Sequence, residues 1–163
     1  MTVDNILASD HDHLDQLLAG ALRIFDRGDM EHAFIPLDLF WARLAMHIRA
    51  EHLHVFPSLV RTLKPVDNDA TVKLIADLKK DHDFFMRELA DIIKSMRKIN
   101  DTSENVAAEL KNRLVRIEKR LAAHNELEEK TIYPVTAQLG SAQLSSLVEK
   151  ELNNIPPRFP KAE

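Results

Sequence analysis

The feature that most constrains the fold of this chain is a helical spacing of apolar residues in four long segments. In each segment, apolar residues recur at alternating intervals of three and four positions. The segments cover residues 4–27, 30–56, 67–99 and 101–133, and the last of them extends to 138 if Pro134 is tolerated. A stripe of this kind is typical of a helix that buries one face. Four such helices with short connections predict an all-α protein built as an up-down-up-down four-helix bundle.

Helix-breaking residues mark the ends of these segments. Gly28 suits the position after the first helix, and Pro36 predicts that the second helix either begins or kinks there. Asp101-Thr-Ser-Glu104 is typical of a capping box at the start of the fourth helix. Gly140-Ser141 separates a short C-terminal fifth helix at 142–153, whose apolar face either packs on the bundle or forms a homodimer contact. We expect a bundle at 1–139 and a helix with a tail at 140–163, both within one domain.

Composition excludes several other classes of protein. The 163 residues contain no cysteine, so disulfides, thiol catalysis and thiolate metal sites are excluded. The net charge of −4 provides no basic field for nucleic acid. The sequence has neither a secretory signal nor an apolar run long enough to span a bilayer. We therefore expect a cytoplasmic protein with no nucleic-acid or membrane partner.

Ionisable residues interrupt or extend every apolar stripe. A histidine lies within the first and third stripes, and a His-x-x-x-Glu pair continues the second and the fourth. The six residues are His11, His47, Glu51, His82, His124 and Glu128. Buried ionisable groups without partners are strongly destabilising. Six of them on core-facing positions therefore require a partner that they share.

The lengths of the helices bring these six residues to one level of the bundle. At a rise of about 1.5 Å per residue, the helical legs on either side of each connection nearly cancel. All six groups are then expected near the end where the first and third helices begin. Two carboxylates and four imidazoles in an apolar core predict a metal site, most naturally one for two ions. These ligand types also suit zinc, manganese or a mixed pair, so they do not identify the metal.

The two halves of the sequence repeat each other. Arg43-Leu-Ala-Met-His-Ile-Arg-Ala-Glu51 and Arg120-Leu-Ala-Ala-His-Asn-Glu-Leu-Glu128 are offset by 77 residues, and the same offset relates Phe56-Pro57 to Tyr133-Pro134. Two similar helix pairs that face each other predict a pocket with pseudo-twofold symmetry and one His-Glu pair for each metal.

The remaining histidines have simpler interpretations. We expect three of them to lie on the surface: His13, His32 and His52. His54 shares the stripe of His47 and is either a partly buried polar residue at the end of the bundle or a proton-handling group at the mouth of the pocket. Glu126 and Glu129 point away from the stripe and are expected in solvent.

The metal-site pattern resembles the haemerythrin-like family of HHE cation-binding domains, from His11 to Pro134. The matching motifs are Asp10-His-Asp-His-Leu14, His-Ile-Arg-Ala-Glu51, Lys80-Asp-His-Asp-Phe84 and His-Asn-Glu-Leu-Glu128. The resemblance implies a four-helix bundle with two non-haem iron ions, bridged by two carboxylates and an oxo or hydroxo group. It also implies that the centre binds O₂ or related small molecules.

The sequence departs from the oxygen carriers of this family. Met86 stands where they have the second histidine of a His-x-x-x-His pair, and Glu128 replaces their aspartate. If both irons are octahedral, these ligands and one bridging oxygen leave two positions open, which favours redox chemistry over carriage. The absence of cysteine separates the chain from the iron–sulfur repair proteins of the family.

These observations lead to an expected function with two alternatives. We expect a di-iron protein that binds or senses O₂, nitric oxide or peroxide. The sequence equally allows a peroxidase-like or catalase-like enzyme, or an iron-storage or iron-responsive protein.

Overall fold

The fold is helical throughout the part of the chain that the computed structural model describes, residues 1–63, 65–98 and 104–156. Its helices are α1 (Val3–Asp26), α2 (Met30–Ala50), α3 (Phe56–Thr62), α4 (Pro65–Lys98), α5 (Glu104–Thr131), α6 (Tyr133–Gln138) and α7 (Ala142–Leu152), with a π-helical segment at Glu51–Val55 between α2 and α3. The prediction of an all-α fold is confirmed. Among the helices in these ranges, none has the length and hydropathy that a membrane span requires.

The four long helices form the predicted bundle. Each of α1, α2, α4 and α5 packs against two of the other three: α1 and α4 each contact α2 and α5. The connection from α1 to α2 is short, and hydrogen bonds between neighbouring residues end α1. Gly28 adopts a φ of 77°, and the backbone N–H of Asp29 and Gly28 donate to the carbonyls of Ile24 and Phe25, which is a Schellman ending for α1.

The second helix begins before its proline. The side chain of Asp29 accepts a hydrogen bond of 3.1 Å from the backbone N–H of His32, so α2 begins at Met30. Pro36 lies inside the helix, so the alternative in which the helix begins at this residue is wrong. Residues 101–103 of the predicted capping box lie outside the described residues. Residue 99, the predicted end of the third segment, also lies outside them.

Two prolines end the regular α-helix at equivalent points of the repeat. Pro57 and Pro134 each stand in the first turn of a new helix, α3 or α6. Because proline has no N–H to donate to the preceding turn, the α-helical ladder must reset there. The chain does so through the π-helical segment before Phe56 and at Ile132 before Tyr133. The second helical path therefore continues to Thr62, beyond its predicted end at 56.

The short C-terminal helix packs on the bundle. Ser141 caps α7 by accepting a 3.1 Å hydrogen bond from the backbone N–H of Leu144. Leu144, Val148 and Leu152 are buried, and α7 contacts α1, α2 and the π-helical segment. The apolar face of the fifth helix is thus used within the chain. The homodimer contact remains a prediction.

Two apolar clusters fill the core, and the six ionisable residues lie between them. One cluster includes Leu14, Leu44, Phe85 and Leu121. The other includes Leu7, Ala50, Leu78 and Ile132. Along each long helix the chain therefore passes from one apolar cluster, through a polar layer, to the other. The polar layer is enclosed by hydrocarbon on both sides.

The core should respond strongly to the loss of a single buried side chain. We expect Leu37→Ala, at a fully buried position of α2, to lower the free energy of unfolding by about 2–5 kcal/mol through lost burial and a residual cavity. Ile35→Ala is the matched control because Ile35 on the same helix is 72% exposed. Its effect should stay within about 0.5 kcal/mol. Denaturant unfolding measures both values, and equal losses would contradict the assigned packing.

Candidate metal centre

The structure brings all six sequence-predicted residues into one buried layer. His11 lies on α1, His47 on α2, Glu51 at the start of the π-helical segment, His82 on α4, and His124 and Glu128 on α5. None of the six is more than 4% exposed. This placement follows from the stripe, because each residue occupies a core-facing position between apolar neighbours.

The four imidazoles form two facing pairs. The Nε2 atoms of His11 and His47 are 3.1 Å apart, and those of His82 and His124 are 2.9 Å apart. We call the first pair, with its surroundings, the α1–α2 position and the second the α4–α5 position. In both positions the Nε2 atoms point toward each other and toward the two glutamates.

Each glutamate presents one oxygen to each pair of histidines. Glu51 Oε1 lies 3.4 Å from His47 Nε2, and its Oε2 lies 3.3 Å from His82 Nε2. Glu128 Oε2 lies 3.4 Å from His11 Nε2, and its Oε1 lies 3.1 Å from His124 Nε2. Both carboxylates therefore lie between the two positions, with an oxygen on either side.

Two of these carboxylate oxygens are buried without a hydrogen bond. Among the described residues, no donor has hydrogen-bond geometry toward Glu51 Oε2 or Glu128 Oε1, although imidazole nitrogens lie nearby. A buried carboxylate oxygen without a hydrogen bond is unfavourable, and a cation between the carboxylates and the imidazoles would satisfy it. One ligand atom from each of His11, His47, Glu51 and Glu128 lies within 4.8 Å of the others, as do those of His82, His124 and Glu128. The donor set fits a metal.

Aspartates orient one histidine of each pair from outside the layer. Asp10 Oδ2 lies 2.8 Å from His47 Nδ1, and Asp81 Oδ2 lies 3.1 Å from His124 Nδ1. Arg43 and Arg120 donate to the second oxygen of these aspartates. A carboxylate that accepts from Nδ1–H places the lone pair of the imidazole on Nε2, where a metal ligand needs it.

The other histidine of each pair has a different outer partner. His11 Nδ1 donates to Glu129 Oε1 at 2.8 Å, whereas His82 Nδ1 lies 2.8 Å from His52 Nε2. The prediction that His52 is a surface residue is therefore wrong: its ring is half-buried against His82 and Phe56. The π-helical segment changes the direction of side chains after Glu51, which a count at α-helical spacing does not capture. Glu129 is 45% exposed as expected, but it also orients a site residue.

Tyr133 also contacts residues of the layer, and sequence reasoning did not assign it to the candidate site. Its hydroxyl donates to Glu51 Oε1 at 2.8 Å and lies 3.3 Å from Glu128 Oε2. The hydroxyl oxygen of Tyr133 also lies 3.0 Å from His11 Nε2 and 3.3 Å from His47 Nε2. The 77-residue repeat contained the signal, because Tyr133 is the counterpart of Phe56 and differs from it only in the hydroxyl. Phe56 stacks on His82 with ring centroids 6.2 Å apart.

The repeat also extends to the outer partners. Arg43 and Arg120, and likewise His52 and Glu129, are each 77 residues apart, and an aspartate directly precedes both His11 and His82. Composition and periodicity could not assign them, since most of these residues lie off the apolar stripe. Their roles become visible only where the neighbouring helix brings a second side chain to them.

Electrostatics in the layer hold protons where a metal would bind. Burial alone lowers the pKa of His47, but the charges of Glu51 and Asp10 outweigh it and raise the value to about 10. Burial also lowers the pKa of His124, but Glu128 and Asp81 outweigh this effect and raise the pKa. The histidines around Glu128 hold its pKa well below the usual value despite its burial. The metal-free protein thus favours a proton on His47 and on His124.

The other predictions have mixed outcomes. His13 and His32 are exposed as predicted. His54 is half-buried, and its Nε2 lies 3.5 Å from Glu151 Oε1 of α7, so the end-of-bundle interpretation describes it. Glu126 is exposed and paired with Lys130, in agreement with its prediction.

A helical bundle with buried histidines and carboxylates arranged around two positions defines a class of cation-binding protein. The family described as Hemerythrin HHE cation binding domain matches residues 2–136. The chain belongs to this family. No curated protein and no solved structure matches the sequence. The resemblance inferred from the sequence is confirmed, and the family description agrees with the cluster of histidines and glutamates in the polar layer.

Metal binding should depend steeply on pH. Because the raised pKa of His47, about 10, keeps a proton on this side chain near neutral pH, a metal must displace that proton. The apparent affinity should therefore rise about tenfold per pH unit between pH ~6 and pH ~9 for each proton released. In the metal-free protein the same shift stabilises the fold below the usual histidine pKa of 6.5, and this contribution is lost as the pH rises through about 10.

Calorimetric titration of the metal-free protein with Zn²⁺, in two buffers of different ionisation enthalpy, measures both the affinity and the protons released. An affinity that stayed constant from pH ~7 to pH ~9 would contradict the protonation assigned to His47.

Proposed function

We propose that the polar layer holds two iron ions bridged by Glu51 and Glu128, and that this centre binds O₂, nitric oxide or peroxide. The observation that carries the proposal is the convergence of four Nε2 atoms on two carboxylates that each face both pairs. His11, His47, His82 and His124 are the proposed terminal ligands. Mixed imidazole and carboxylate ligands suit iron, and a bridging oxo or hydroxo group completes the proposed cofactor.

The charge balance of the layer supports a bound cation pair. Arg43 and Arg120 neutralise Asp10 and Asp81, so these aspartates can orient the histidines without adding net negative charge. Glu51 and Glu128 have no arginine or lysine partner among the described residues. Their two charges are therefore available to metal ions.

When bound, the iron pair would supply the open coordination positions and the changes of oxidation state that ligand binding requires. The protein's own residues hold the ligands in place and exclude water. Phe85 meets the His124 ring edge-on at a centroid distance of 5.5 Å, and Phe56 covers His82. Both aromatic rings therefore shield the α4–α5 position with hydrocarbon.

Tyr133 would place a proton beside the bound ligand. Burial, with the charges of Glu51 and Glu128, raises its pKa well above the usual value, so the hydroxyl keeps its proton in the metal-free protein. The residue also lines a surface cavity of 230 Å³ together with Glu129 and Asp4. Tyr133 thus lies between the surface and the layer, where a small entering molecule would meet its hydroxyl.

Reduction of peroxide is the second candidate function, and Tyr133 is the observation that favours it. A donor positioned at the centre can protonate an oxygen that is being reduced, which simple carriage does not need. Stopped-flow mixing of the reduced protein with O₂, followed by a peroxide-consumption assay, separates the two. Rapid release of O₂ supports binding, and sustained consumption of peroxide supports the enzyme.

Removal of either glutamate should lower the metal content. We expect the unaltered protein to bind two iron ions per chain with near-ultraviolet absorption typical of an oxo-bridged pair. Glu51→Ala or Glu128→Ala should bind at most one, because each carboxylate contacts both positions. Elemental analysis and the absorption spectrum measure this.

Glu126→Ala is the matched control on α5, because Glu126 is exposed and paired with Lys130. Unchanged stoichiometry in Glu51→Ala and Glu128→Ala would remove the bridging assignment. A colourless protein that holds two zinc ions after expression in iron-rich medium would contradict the redox proposal.

Tyr133→Phe should affect the ligand more than the metal. The substitution removes one hydroxyl and copies the Phe56 side of the repeat, so saturating iron should still load two ions. Loss of one hydrogen bond to a bound oxygen should speed O₂ dissociation, or slow peroxide consumption, by about two- to tenfold. Stopped-flow absorption measures these rates. If iron content fell while the rates per loaded centre stayed the same, the role assigned to the hydroxyl would be wrong.

A further inference from the structure

We infer that the two metal positions are unequal, and that the α1–α2 position between His11 and His47 binds its ion more tightly and fills first. This inference rests on the proposed function, since it assumes that both positions hold metal. The repeat provides the comparison, because each position takes two histidines from two long helices and faces both glutamates, while the side chains around the two positions differ.

The first difference lies in the outer partners. At the α1–α2 position, both Nδ1 atoms meet carboxylates, Glu129 for His11 and Asp10 for His47. At the α4–α5 position, His124 meets Asp81, but His82 meets the imidazole of His52. A carboxylate behind an imidazole raises the basicity of the ligand nitrogen and fixes its tautomer. A neutral imidazole provides a weaker acceptor for the same N–H.

The tautomer adds to this difference. His52 supports metal binding by His82 only when His52 Nε2 accepts from His82 Nδ1–H. If His52 instead donates from Nε2, the remaining proton of a neutral His82 lies on its Nε2, and that atom cannot bind metal. The carboxylate of Glu129 has no N–H to donate, so its hydrogen bond orients His11 with Nδ1 as the donor. The hydrogen bond to His52 therefore fixes the tautomer of His82 less strictly than Glu129 fixes that of His11.

The second difference is the exposure of the aspartates. The side chain of Asp10 is 2% exposed, whereas that of Asp81 is 26% exposed. Solvent screens a charge near the surface more effectively than a buried one. Asp10 therefore acts on His47 more strongly than Asp81 acts on His124.

The third difference is in the inward-facing donors. At the α1–α2 position, four ligand atoms from His11, His47, Glu51 and Glu128 lie within 4.8 Å of one another. At the α4–α5 position, the corresponding group contains three residues: His82, His124 and Glu128. The hydroxyl of Tyr133 also holds Glu51 Oε1 beside the α1–α2 position by a hydrogen bond of 2.8 Å, and its counterpart Phe56 has no hydroxyl. The α1–α2 position is thus preorganised, which lowers the entropy lost on binding.

The unpaired oxygens act in the opposite direction. Glu51 Oε2 and Glu128 Oε1 both face the α4–α5 position, and an ion there would satisfy them directly. An ion at the α1–α2 position, however, fixes both glutamates with these oxygens still directed at His82 and His124. The first ion therefore prepares the second position, and the two ions bind in order.

Titration of the metal-free protein with Co²⁺ under anaerobic conditions tests the order. The visible absorption should rise in two steps, one ion per step. Crystals grown with one equivalent of Co²⁺ should show anomalous scattering at the cobalt edge between His11 and His47. A peak of equal or greater height between His82 and His124 would overturn the inference.

Exchange of the outer partners tests the cause. We expect Glu129→His to weaken the first binding step, and His52→Glu to strengthen the second, each by about tenfold or more. The double variant E129H/H52E keeps the composition of the chain, and the gap between its two dissociation constants should shrink or reverse. Glu126→His is the control on α5 and should change neither step. A gap unaffected by the double variant would contradict the role of these partners.

The outcomes separate this inference from the proposed function. If fewer than two ions bind, or if binding survives the loss of Glu51 and Glu128, the two-metal centre itself is wrong. If two ions bind with equal affinities and equal occupancies at one equivalent, the centre stands and the ordered filling is wrong. Neither readout depends on O₂ or peroxide chemistry.

Discussion

The structure depends on how a layer of buried ionisable groups is satisfied inside an apolar bundle. Six such groups lie between two hydrophobic clusters, each on a core-facing position of its helix. Hydrogen bonds among the described residues satisfy most of their polar atoms but leave Glu51 Oε2 and Glu128 Oε1 unpaired. A cation in the layer would satisfy these two oxygens, so we expect metal binding to raise the stability of the fold.

The residues around the layer decide what the metal ligands can do. Outer partners on every Nδ1 keep the four Nε2 atoms directed inward, and the arginines keep the aspartates ionised without adding charge. Although burial lowers both values, Glu51 and Asp10 raise the pKa of His47, and Glu128 and Asp81 raise that of His124, so both side chains hold a proton where a metal would bind. Because a cation would have to displace these protons, we expect its binding to depend on pH.

The two halves of the fold are similar in sequence, but some of their corresponding side chains differ. Around the two His-x-x-x-Glu pairs the halves repeat at an offset of 77 residues, so side chains there have counterparts with which they can be compared. Arg43 and Arg120, for example, match in chemistry. The exceptions, Tyr133 with Phe56 and Glu129 with His52, both lie against the polar layer. The two halves therefore differ in chemistry next to the polar layer.

The sequence alone determined the helical fold, the four long helices and the six residues of the layer. Periodicity places a residue on a face of its own helix, and a charged residue on a buried face requires a partner wherever the other helices lie. The sequence alone did not identify Tyr133, His52, Glu129 or the aspartates as members of the site. Tyr133 reads as an ordinary helix-end aromatic, and His52 and Glu129 lie off the stripe. Their roles depend on contacts between helices and on the direction that the π-helical segment gives to the side chains after Glu51. Only the tertiary structure decides these, because interhelical distances and side-chain directions are not encoded in the spacing of residues along one helix.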